Sequence, residues 1–170
     1  MRMPVVVVMS ALLFAAPAFA WDLARGEDPI TREKTAEIKA TNGKSGAEAL
    51  KVTVTCHSQD AGKTLISVIG GGPAANTDIA AAPKEIHVSV DARPIVAYEA
   101  VPIREPTGEL SFTASLAAEP RIQSLLAEFR VAYEKITFDI QGYTYTMDVK
   151  DTGKTLEEFA KICNLTIPIP

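Results

Sequence analysis

The residue types that carry out chemistry are few in this 170-residue chain: two histidines, His57 and His87, two cysteines, Cys56 and Cys163, and scattered serines. A zinc site needs three or four ligands, and neither His-x-His nor Cys-x-x-Cys spacing occurs. His87 falls on the polar side of an alternating segment, and His57 points away from Cys56, so both read as surface histidines. Ser45, Ser58, Ser67, Ser89, Ser111, Ser115 and Ser124 lie in neither a Gly-x-Ser-x-Gly elbow nor a Ser-x-x-Lys motif. Gly70-Gly71-Gly72 is followed by no Lys-Ser/Thr pair and opens no helix, so it reads as an inter-strand loop rather than a phosphate cradle. Glu157 and Glu158 are neighbours on a predicted helix and do not face each other; they suit its first turn. The pattern predicts no catalytic, cofactor or metal site.

The cysteines read as partners. Cys56 closes the alternating run Leu50-Lys51-Val52-Thr53-Val54-Thr55-Cys56 on its apolar face, and Cys163 ends the apolar stripe of the last helix. Both are expected in the core, where a bond would tie the terminal helix across a sheet. A redox pair would sit at short spacing beside a helix start. Tyr143 and Tyr145 share one predicted strand face; they either pack beneath a helix or present a binding patch, and core packing is the expected use.

The elements that must position these residues follow from periodicity. Residues 21–34 are polar, with Gly26 and Asp28-Pro29, and read as a loosely ordered leader tied down by Trp21. Strand signals cover 35–40, 50–56, 64–69, 85–90, 95–103 and 110–114, with turns at 42–46, 60–63 and 105–108 and a loop over 70–83. Pro102 places its segment at a strand end or a sheet edge. A helix is predicted over 120–133, with Ile122, Leu125, Leu126 and Phe129 on one face. Residues 135–140 and 143–149 form a hairpin about Gln141-Gly142. A second helix follows over 155–162, opened by the capping-box pair Thr155 and Glu158. Strands first, then helix, hairpin and helix, predict an α+β fold with a largely antiparallel sheet and two helices in the C-terminal half.

Arg2, the apolar run 5–16 and Ala18-Phe19-Ala20 have the form of a cleaved signal peptide over residues 1–20. The run is short of the ~20 residues that span a bilayer. A single domain over 21–170 is expected, exported to the periplasm or the medium, where disulfides persist. There 16 basic residues face 21 acidic ones, since Arg2 is the only charge in the first twenty. That balance argues against nucleic acid and anionic membrane surfaces as partners. One Trp is thin for a sugar binder. Asn164-Leu165-Thr166 matches the glycosylation sequon, which matters only in a eukaryotic secretory pathway.

Trp21, the Leu50–Cys56 strand, Leu126-Ala127-Glu128-Phe129, Phe138-Asp139-Ile140-Gln141-Gly142 and the late Cys163 together resemble the small periplasmic accessory proteins of type VI secretion, the VasI/TagO type. This strand is two residues longer than theirs, and Asn164-Leu165 stands where an aromatic residue follows their last cysteine. The resemblance implies an accessory protein without catalysis and transfers no site. The expectation is therefore a non-catalytic envelope protein that binds another envelope or secreted protein. The alternative is a small periplasmic enzyme or enzyme inhibitor whose site is assembled only in the fold.

Overall fold

Alternation of apolar and polar residues dominates the middle of the chain, and the computed structural model answers it with two antiparallel sheets. It describes residues 21–72, 78–82 and 84–169; the expected signal peptide and part of the 70–83 loop lie outside the described residues. Strands β1 (Asp22–Glu27), β2 (Lys34–Thr41), β3 (Leu50–His57) and β4 (Asp60–Gly70) come first. They are followed by β5 (Glu85–Val90), β6 (Val96–Glu99), β7 (Val101–Arg104) and β8 (Leu110–Ser115). Helix α1 (Ile122–Val131), the hairpin β9 (Lys135–Ile140) and β10 (Tyr143–Asp148), and helix α2 (Thr152–Ile162) complete the order. One sheet runs β1-β2-β3-β4-β8-β7 and the other β10-β9-β5-β6. The expected α+β class, antiparallel sheets and pair of late helices are what the chain adopts.

The core collects the inward positions of both sheets and the stripes of both helices. Ile38, Val54, Ile66 and Phe112 come from the six-stranded sheet; Ile86, Val88, Phe138 and Ile140 come from the four-stranded one. Ile122, Leu125, Leu126 and Phe129 of α1 and Leu156 and Phe159 of α2 are buried with them. Trp21, Phe129 and Phe138 meet edge to face, with ring centroids 5.8 and 6.0 Å apart, the geometry that ring quadrupoles favour.

Four expectations are corrected. The leader is not loose: β1 pairs with β2 from Asp22 to Glu27, and the Trp21 indole N–H donates to the Asp148 carbonyl at 3.0 Å. Its polar sequence hid it, because an edge strand can be held by backbone bonds alone. The 60–63 break is already strand, since the turn is Ser58-Gln59 and His57 pairs with Asp60. The 95–103 run is two edge strands in different sheets. The chain crosses between them at Ala100, whose N–H donates to the Lys84 carbonyl. Helix α2 starts at Thr152, not Thr155, so Thr155 and Glu158 form no capping box. The Thr155 hydroxyl instead donates to the Trp21 carbonyl, and Glu158 pairs with Arg25 at 2.7 Å. Gln141-Gly142 turns the late hairpin with both residues at positive φ, as a tight two-residue loop requires.

Candidate functional site

Cys56 and Cys163 are bonded, with Cα atoms 6.0 Å apart and both side chains buried. The bond joins the end of β3 to the residue after α2, the placement expected from the two apolar faces. His57 places Nδ1 3.5 Å from Glu33 Oε2, and His87 places Nε2 3.0 Å from Glu85 Oε1. His87 stands in register with Asp139 on the outer face of the four-stranded sheet, and Ser89 is two positions along the same strand. The Ser89 hydroxyl donates to the Arg93 carbonyl at 2.7 Å, and His87 faces Glu85. The three therefore share a face without the nucleophile-to-base contact that activates a serine.

The two tyrosines part company. Tyr145 is 3% exposed, and its hydroxyl accepts the Gly72 N–H at 3.0 Å. Tyr143 is 45% exposed. A Cβ at Gly70 would lie 2.7 Å from the Tyr145 ring, and one at Gly72 would press on the Tyr143 ring. The glycines are there because two aromatic rings lie directly over this backbone, as β4 ends. The pair is thus half core and half surface.

One concavity among the described residues was not legible as a site in the sequence. It holds about 880 Å³. Leu65 of β4, Val101 and Ile103 of β7, Thr113 of β8, Ala100 and Ala118 line it. Val101 is 64% exposed, Ile103 43% and Leu65 37%. Register explains the gathering: Val101 pairs with Thr113, which pairs with Ser67, while Leu65 pairs with Ser115. These positions share the outer face of the six-stranded sheet. β7 is the last strand of that sheet, the edge position expected from Pro102. Lys84, Glu85 and Glu99 belong to the same lining. Glu85 and Glu99 stand directly opposite each other across β5 and β6.

An ion pair between a buried carboxylate and an exposed guanidinium anchors the structure beside this groove. Glu119, 4% exposed, accepts from Arg121 Nε at 2.8 Å, from the Arg121 N–H at 3.1 Å and from the Glu99 N–H at 3.2 Å. The Arg121 hydrogen bonds hold the Glu119 carboxyl down at about 2, although burial opposes this. The Arg121 guanidinium lies over the Tyr98 ring, 5.6 Å from its centroid. Burial, reinforced by Glu128, pushes the Tyr98 phenol up to about 12. The pair fixes β6 to the connection between β8 and α1, next to Glu99 and Ala118 of the groove. Glu119-Pro120-Arg121 ahead of a helix was the available sequence signal.

Comparison of the chain with family models, with curated proteins and with solved structures gives no match in any of the three.

Proposed function

We propose that this is an exported, non-catalytic binding protein of the cell envelope, and that it takes a partner protein in the groove beside β7. One observation carries the reading: aliphatic side chains of Leu65, Val101 and Ile103 remain exposed together around a concavity of about 880 Å³. Exposed apolar surface gathered at one place marks interaction sites more often than single exposed residues do. Arg2, the 5–16 run and the Ala18-Phe19-Ala20 motif support export. The Cys56–Cys163 bond suits an oxidising compartment. Among the described residues no helix is long and apolar enough to cross a membrane. The resemblance to type VI secretion accessory proteins supports an envelope role.

A photo-reactive amino acid at Val101 tests this in cells of the native host. It should form a discrete adduct with another envelope or secreted protein. The same group at Ile30, exposed on the loop between β1 and β2, should not. Equal adducts from both positions, or none from Val101, would remove the groove from the account.

A further inference from the structure

We infer that the groove's occupant is a polypeptide segment in which aliphatic side chains are flanked by Lys or Arg, bound through its side chains rather than as an added strand. This rests on the binding role proposed above and specifies the partner's chemistry.

The first argument is charge complementarity. Glu85 and Glu99 are in register across β5 and β6, a placement in which like charges disfavour pairing. Both line the groove. Lys84 supplies the one ammonium in that lining, so two carboxylates outnumber it. Glu85 faces His87, and Arg121 is committed to the buried Glu119. A cation delivered by the occupant would lie against the two glutamates while its aliphatic neighbours cover Leu65, Val101 and Ile103.

The second argument concerns how the segment is held. β7 is an edge strand of four residues, and Pro102 removes one of its N–H donors. Proline at an edge is a recognised guard against strand addition. The short 3-10 turn Ile79–Ala81 packs beside the same strand. The groove thus offers side-chain surface rather than a row of backbone groups. The Glu119–Arg121 pair anchors β6 beforehand, so little ordering is needed on binding.

Fluorescence anisotropy on the disulfide-bonded protein tests the inference with three labelled peptides: alternating Leu-Lys, alternating Leu-Glu and alternating Ser-Lys, each twelve residues long. The Leu-Lys peptide should bind, with the other two at least tenfold weaker. Raising the salt to 0.5 M should weaken it. The double variant Glu85→Gln with Glu99→Gln should lose roughly fivefold to tenfold in affinity for the Leu-Lys peptide. Thermal melts of each variant establish that it is folded. Equal binding of Leu-Glu, or no effect of the double variant, overturns the charge argument and leaves the groove reading standing. Binding of dodecyltrimethylammonium in place of every peptide, with loss in Val101→Asp, overturns a polypeptide occupant. Failure of all probes together with a silent Val101 crosslink in cells overturns the binding role as well.

Discussion

Glu119 shows most plainly how single residues hold this molecule together. A buried carboxylate is costly unless its oxygens are answered, and here Arg121 and the Glu99 N–H answer them. Its folded pKa of about 2 lies below the ordinary carboxylate value. The unfolded chain therefore takes up that proton first, and the stability this group contributes is lost as pH falls from about 4.5 toward 2. Urea midpoints measured at neutral pH and down this range should show Glu119→Gln less stable at pH 7 and flatter in acid than the parent. An acid slope identical to the parent's would refute the assignment. Tyr98 acts at the other end of the scale. Its raised phenol favours the folded state until alkali ionises the unfolded chain, so stability should fall as pH rises from about 10 to 12. Tyr98→Phe should remove that alkaline loss. At the end of β4, Gly70→Ala forces a methyl into the Tyr145 ring, and overpacking of this kind costs ~1–3 kcal/mol. Chemical denaturation of Gly70→Ala and of Tyr145→Phe separates the steric term from the single hydrogen bond to Gly72.

Among the elements, the Cys56–Cys163 bond and the α1 stripe do the tying. Replacing both cysteines by Ala should lower stability by ~2–4 kcal/mol, chiefly by freeing the unfolded chain; a change below half a kcal/mol in urea unfolding would contradict that. Leu125→Ala or Leu126→Ala empties a fully buried site and should cost ~2–5 kcal/mol. Which elements were legible follows from what buries them. Leu50 to Cys56 reads as a strand because one face is core and the other solvent, so period two is written into the residue types. The Asp22–Glu27 strand is almost wholly exposed; backbone pairing with β2 has no residue signature, and only Trp21 and Leu23 hint at it. Residues 95–103 form one nearly continuous apolar run through Ala100 although the chain changes sheets there, since an apolar run reports strand character and not which sheet supplies its neighbours. The α2 start was misplaced because Asp151 turns through a left-handed conformation that its residue type only weakly announces.

At the scale of the whole molecule, the cysteine pairing could be read from two faces, whereas the groove could not. Its lining comes from β4, β5, β6, β7, β8 and the connection that follows, residues scattered from Leu65 to Ala118. No local pattern links Leu65 to Val101; the sheet order does, by setting β8 between their strands. Tyr143 and Tyr145, the surface that sequence alone singled out, turn out to share their duty between covering Gly72 and filling the core. The measurement that bears most directly on a binding role is capture of the protein crosslinked at Val101, compared across three forms of the chain. These are the parent, Val101→Asp with Ile103→Asp, and Thr137→Asp with Thr144→Asp on the outer face of the other sheet, each first matched for melting temperature. The groove variant should lose the partner while the other two keep it. Retention by the groove variant, or equal loss from the control, would contradict the account.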